Sequence, residues 1–211
     1  MPTEDINAMG EMNNTWGVCG FSSALYALYE HNPSLRAKLT SGAKIDTRFA
    51  AEIKTFLRML EAEGDAKMRA DIEQFTRSFG PKWTGFTIAG YLQTIDDEAE
   101  RLGTIQGNIT KNLSIALPPH ALVAYLQKVA GFPGAKVLRD PLGGMFITRS
   151  TAHEQIVGLR DGIKTMYNGL AHWVYMKNGV VYSWAKQFVG LQSLLTPRTN
   201  YVGVACIIEL V

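Results

Sequence analysis

The segment that decides the fold reads Asn13-Asn14-Thr15-Trp16-Gly17-Val18-Cys19-Gly20-Phe21-Ser22-Ser23-Ala24-Leu25-Tyr26-Ala27-Leu28-Tyr29. It places a cysteine next to a glycine, directly before a run of small, aromatic and aliphatic residues. Such a run predicts a helix from about residue 19 to residue 30 that is buried on most sides. A thiol in its first turn would face unpaired backbone N–H groups and the positive end of the helix dipole, which favour the thiolate. Cys19 is therefore a candidate nucleophile, although a free cysteine is more commonly a small core residue.

A histidine far along the chain is the candidate base for this nucleophile. His172 opens a segment rich in Val, Tyr and Trp, and a similar segment follows after Asn178-Gly179. Asn-Gly between two such segments predicts a β-hairpin with a two-residue turn. A cysteine near the N-terminus and a histidine far downstream are the usual arrangement of a cysteine nucleophile and its base.

The predicted hairpin also indicates which polar residues accompany the histidine. If a strand continues from Val180 to Lys186, its alternating side chains place Ser183 and Gln187 on the face of His172. A catalytic base needs a neighbour that holds its ring and fixes its tautomer. We expect Gln187 to do this, because it lies diagonal to the histidine and is long enough to reach the ring.

Helical patterns dominate the first half of the chain and strand patterns the second, which predicts an α+β fold. The 211 residues are most simply one domain, with residues 1–12 as a flexible arm. After the first helix, apolar spacing predicts helices over residues 46–64, 68–79, 83–102 and 118–130. Strands are predicted over residues 136–139, 145–148, 172–177, 180–186 and 201–209.

Composition argues against several classes of function. The net charge is +2 without a Lys/Arg cluster, so we expect neither nucleic acid nor a membrane as partner. The chain shows neither a signal peptide nor a membrane-spanning run, which predicts a cytoplasmic protein or one exported without a cleaved signal. No His or Cys spacing suits a metal, and no phosphate or dinucleotide motif occurs, so we expect no metal and no cofactor.

Two motifs resemble those of papain-like cysteine peptidases, within the bacterial branch that includes bacteriocin-leader-processing peptidases. They are Gly17-x-Cys19-Gly20 at the head of an apolar helix, and Ala171-His172-Trp173-Val174 at the start of a strand. The resemblance covers these motifs and the helix-then-sheet order. Papain relatives carry Asn-Ser-Trp-Gly after the histidine strand, whereas this chain has Tyr182-Ser183-Trp184-Ala185, with tyrosine in place of the orienting asparagine.

The resemblance implies a papain-like fold whose catalytic helix packs on a C-terminal antiparallel sheet, and a cysteine protease mechanism. Cys19 would attack a carbonyl and His172 would transfer the protons. These families place an amide about six residues before the cysteine, so Asn13 or Asn14 would complete the oxyanion hole with the Cys19 backbone N–H. Trp16, Trp173 and Trp184 would wall a substrate cleft.

Three functions remain open from the sequence. The first is a peptidase acting on a protein or peptide, in the form of an exported bacterial effector or toxin that an immunity protein neutralises. The second uses the same dyad as a peptidoglycan amidase, or as a glutamine deamidase or transglutaminase-like enzyme. The third is a papain-like binding module in which Cys19 only contributes to packing.

Overall fold

The computed structural model describes residues 17–32, 42–102, 113–138, 154–183, 186–195 and 200–210. Five α-helices lie in these ranges: α1 (Cys19–His31), α2 (Gly42–Ala62), α3 (Ala66–Arg77), α4 (Ile88–Leu102) and α5 (Pro119–Lys128). The described strands are β1 (Lys136–Leu138), β2 (Glu154–Asp161), β3 (Leu170–Lys177), β4 (Val180–Ser183), β5 (Lys186–Val189) and β6 (Tyr201–Glu209).

The six strands form one antiparallel sheet in the order β1-β6-β2-β3-β4-β5, and the sheet curls into a half-barrel. Helices precede strands along the chain, so the predicted α+β class is confirmed. Strand β2 was not predicted, although it lies between β6 and β3 in the middle of the sheet. The strand predicted over residues 145–148 falls outside the described residues.

Two groups of buried apolar residues lie on opposite faces of the sheet. The larger one joins the helices to the face that carries Trp173 and Tyr175, which we call the helix face. On the second face a smaller cluster is formed by Val157, Leu159, Val174, Val181 and Leu194. Neighbouring residues of a strand point to opposite faces, so each strand contributes to both clusters.

Helix α1 packs directly on β3. Its side chains are buried on nearly every side, as the apolar run predicts. The ring of Tyr26 stacks on that of Tyr175 with the centroids 6.4 Å apart and the planes 5° from parallel. Stacked aromatic pairs at such distances contribute beyond their buried area, so this contact sets the helix against the strand.

The Asn178-Gly179 hairpin is confirmed. Both turn residues have positive φ, 50° and 78°, and Lys177 pairs with Val180. The predicted continuous strand from residue 180 to residue 186 is wrong, however, because β4 ends at Ser183 and the chain then returns along β4 as β5.

An irregular segment, residues 113–118, runs beside the start of α1. The Tyr91 hydroxyl donates to the Leu113 carbonyl at 2.7 Å, and the indole N–H of Trp173 donates to the Leu117 carbonyl at 2.9 Å. Hydrogen bonds from a helix and from a strand thus hold this segment in place. At its other side it approaches Gly17, where a Cβ atom would lie 2.5 Å from the Ser114 Oγ.

Gly17 has a φ of +61°, and Gly64 offers a control with a φ of +67° and no atom within 4 Å of the place that a Cβ would occupy. Each Gly→Ala change adds left-handed strain of about 1–2 kcal/mol. Gly17→Ala also drives a methyl group into Ser114, so we expect it to lower the free energy of unfolding by a further 1–3 kcal/mol or so. Denaturant titration of both variants measures the difference, and equal losses would show that the close approach of Ser114 is not required.

Candidate functional site

Cys19 is the first residue of α1, as the sequence predicts, and its side chain is half-buried. The backbone N–H groups of Trp173, Gly20 and Cys19 itself face its sulfur. The N–H of Trp173 belongs to the peptide group that joins His172 to Trp173. The structure therefore brings the thiol to the backbone of β3 next to His172 in the chain, while the side chains of Trp173 and His172 point to opposite faces of the sheet.

The sheet leaves room for this approach. The registered pairs of β3 with β4 run from Lys177↔Val180 to Tyr175↔Tyr182, and Trp173 lies two residues beyond the last of them. Gly20 lets the helix come close, since a Cβ atom there would already lie 3.4 Å from the Trp173 ring. The helix end thus meets β3 where its registered pairing with β4 has ended.

His172 is 6% exposed, and its side chain points to the second face of the sheet together with Val174. Its Nε2 lies 2.8 Å from the Oγ of Ser183, a hydrogen bond between two buried side chains. Its ring stacks on Tyr201 with the centroids 5.8 Å apart and the planes 12° from parallel. One ring nitrogen and one ring face therefore have defined protein contacts.

The electrostatics differ from the expectation for a helix N-terminus. Burial raises the pKa of the Cys19 thiol to about 11, and the backbone N–H groups that face the sulfur offset only part of this. Burial lowers the pKa of His172 to about 3. The thiol and the imidazole are both neutral at pH 7, so the resting site holds no preformed thiolate, because desolvation outweighs the helix end.

Gln187 does not occupy the predicted position. It lies on β5 opposite Tyr182, with β4 between its strand and that of His172. Directly paired residues share a face, so Gln187 is on the face of Tyr182 and Tyr175, not on that of His172. The prediction extended β4 through the point at which the chain reverses. In the structure the side chain of His172 is instead hydrogen-bonded to that of Ser183.

The tryptophan predicted on β3 does not line a substrate cleft. Trp173 is 2% exposed and packs in the large core, where its N–H donates to Leu117, so it does not present a surface to substrate. Trp16 and Trp184, and the predicted oxyanion residues Asn13 and Asn14, lie outside the described residues.

Sequence reasoning missed Tyr201 altogether. Its strand was predicted, but Tyr201 meets His172 across β2, through the pairs Asp161↔Tyr201 and Leu159↔His172. Only the strand order and the curl of the sheet bring these rings together. For Ser183 a signal existed, since the hairpin register already placed it on the face of His172.

No family model, no curated protein and no solved structure matches this chain. Among the helices of the described ranges, none is long and apolar enough to cross a membrane. Within the same ranges, no three His, Cys, Asp or Glu side chains come together so that they could hold a metal ion.

The raised thiol pKa can be measured directly. A thiol with a pKa of about 11 stays protonated at pH 9, where an ordinary cysteine with a pKa of about 8.5 is mostly ionised. We therefore expect the carbon-13 chemical shift of the Cys19 Cβ to keep its thiol value up to about pH 9. The Cys206→Ser variant makes the assignment unambiguous, and a transition below about pH 7 would instead indicate a thiolate–imidazolium pair.

Proposed function

We propose that this protein is a papain-like cysteine hydrolase that cleaves amide bonds in a protein or peptide. Cys19 is the nucleophile and His172 the general base. The observation that carries the proposal is the position of the Cys19 sulfur at the peptide group between His172 and Trp173. Residues from distant parts of the chain meet there at the end of a buried helix, and the proposed catalysis further requires the imidazole of His172 to come within hydrogen-bond reach of the sulfur.

Because the Cys19 thiol and the His172 imidazole are both neutral before substrate binds, the reaction begins with a proton transfer. As the sulfur attacks the carbonyl carbon, the thiol proton passes to the neutral imidazole of His172. For this the ring must hold its own proton on Nε2, with Nδ1 unprotonated, and Nε2 then donates to the Oγ of Ser183. Ser183 is therefore a positioning residue that selects the productive tautomer.

The following steps use the same groups. The imidazolium gives its proton to the leaving amine as the C–N bond breaks, which leaves an acyl group on the Cys19 sulfur. His172 then takes a proton from a water molecule that attacks the thioester, and the thiol is restored. The Cys19 backbone N–H, with Asn13 or Asn14 as a predicted partner, would stabilise the oxyanion of both intermediates.

The choice of substrate distinguishes the first two functions inferred from the sequence. Hydrolysis of a peptide bond, of a peptidoglycan crosslink and of a glutamine side-chain amide all follow this scheme. Release of new peptide termini, loss of crosslinked stem peptides and release of ammonia distinguish the three. A role as a bacterial effector that an immunity protein blocks rests on the resemblance of the two motifs.

One observation favours a non-catalytic binding module. His172 and Ser183 are 6% and 2% exposed, and a neutral, hydrogen-bonded pair at this depth is also what a purely structural contact requires. On that hypothesis Cys19 fills space, and its replacement affects only stability.

Covalent labelling with a peptidyl vinyl sulfone separates the two functions. We expect the wild type to be labelled at Cys19, and His172→Ala to lower the rate about 10²- to 10⁴-fold through loss of the base. Ser183→Ala should lower it less, by about tenfold, since one hydrogen bond that positions the ring is lost. Mass spectrometry of the digested protein locates the label.

Cys206 is the matched internal control, because it is also a free, half-buried thiol whose pKa burial raises, here to about 12. Circular dichroism checks that each variant is folded, and His172→Gln replaces His172→Ala if the latter is not. Equal labelling of Cys19 and Cys206, or an unchanged rate at Cys19 without His172, would contradict the hydrolase.

A further inference from the structure

The aromatic ring of Tyr201 is a contact of the candidate base that the motifs do not predict. Tyr201 is the first residue of β6, and Asn200 before it has a φ of +60°, so a turn delivers the ring to the sheet. It packs against the small cluster on the second face and lies almost parallel to the imidazole of His172.

We propose that Tyr201 is a positioning residue of the site, whose ring covers one face of the His172 imidazole, keeps water from it and holds its plane. In its catalytic part this inference rests on the proposed function. The contact itself is independent of that function, and can be tested without it.

A hydrogen bond and a stacked ring constrain the imidazole differently. The bond from Nε2 to Ser183 fixes which nitrogen points along β4, but it still allows the ring to tilt about that direction. A parallel ring on one face opposes tilting, because the tilted imidazole would collide with it. Together the two contacts hold the plane of the imidazole.

Strand pairing places both rings. Tyr201 pairs with Asp161 and His172 pairs with Leu159, so both residues lie against β2, whose register with each neighbour shifts between these two pairs. Side chains on paired strands are held more precisely than side chains on loops. The stack is therefore built into the sheet.

The surroundings of the Tyr201 phenol determine its ionisation state. Burial raises the pKa of Tyr201, and the carboxylate of Asp161 raises it further, as a thiolate at Cys19 would. The phenol of Tyr201 therefore stays neutral at pH 7. His172 from β3, bonded to Ser183 of β4, and Asp161 from β2 lie around Tyr201 on the second face, whereas Cys19 of α1 packs against the cluster of the helix face.

The stacked ring of Tyr201 affects the pKa of His172. Burial lowers its pKa to about 3, and the ring of Tyr201 is one of the groups that exclude water from it. Removal of the ring admits water, so the pKa should rise toward the ordinary value of about 6.5. The lost attraction between ring and imidazolium acts in the opposite direction and is worth about 1.5 pKa units at a buried site, which is less than the roughly 3.5 units that separate about 3 from about 6.5.

The test is an NMR titration of His172, assigned with His172→Gln, in three variants. Tyr201→Phe keeps the ring and should leave the pKa within about half a unit of the wild type, whereas Tyr201→Leu should raise it by about one unit or more. Phe188→Leu is the matched control, because it removes a ring that packs on the same small cluster but belongs to β5. It should leave the pKa unchanged.

The labelling rate of Cys19 by the vinyl sulfone is measured on the same proteins. We expect about a tenfold loss in Tyr201→Leu and none in Tyr201→Phe. Tyr201→Met, closer in volume, replaces Tyr201→Leu if the latter does not fold. An unchanged pKa of His172 in the variant without the ring would overturn the inference. Failure of Cys19 to label in the wild type, with the pKa of His172 shifted in Tyr201→Leu, would overturn the hydrolase and leave the role of Tyr201 intact.

Discussion

The packing of α1 along β3 is the constraint on which the rest of the site depends. At one end of the helix the thiol faces the backbone of Trp173, in the middle Tyr26 stacks on Tyr175, and at the other end Glu30 and Lys177 form an ion pair at 3.3 Å. These contacts follow each other in the same order on both elements, so helix and strand run side by side. The position of the sulfur is fixed over the length of the helix, and a change in any of the three contacts would move it.

Burial determines the chemical state of the site. A helix N-terminus stabilises a thiolate only where the sulfur is not also deprived of water, and here the loss of hydration is the larger effect. The same loss keeps His172 neutral, and its partner Ser183 is a hydroxyl that brings no negative charge to stabilise an imidazolium. A carboxylate in place of Ser183 would favour the ion pair instead. A neutral site suits proton transfer that occurs together with attack on a substrate, once the substrate has bound.

The sequence predicted those elements that depend on neighbouring residues alone. The apolar run defines α1, and Asn178-Gly179 defines the hairpin, since each depends on neighbouring residues only. Strand β2 was missed because Gly158 interrupts its apolar pattern and charged residues close both ends. The reversal after Ser183 was missed because Trp184-Ala185 carries no turn signal. The contact of Tyr201 with the base depends on strand order and sheet curvature, which no local pattern encodes.

The two edge strands of the described sheet affect whether copies of this chain can aggregate through their sheet edges. Strand β1 has three residues and β5 has four, and both begin with an exposed lysine, Lys136 and Lys186. A longer uncharged margin with Val137 and Val189 exposed would offer a template on which the strand of another molecule could pair. The short length of β1 and β5 and the lysine on each oppose pairing with a strand of another molecule. The edges of the described sheet, where its backbone hydrogen bonds end, are therefore protected against growth into fibrous aggregates.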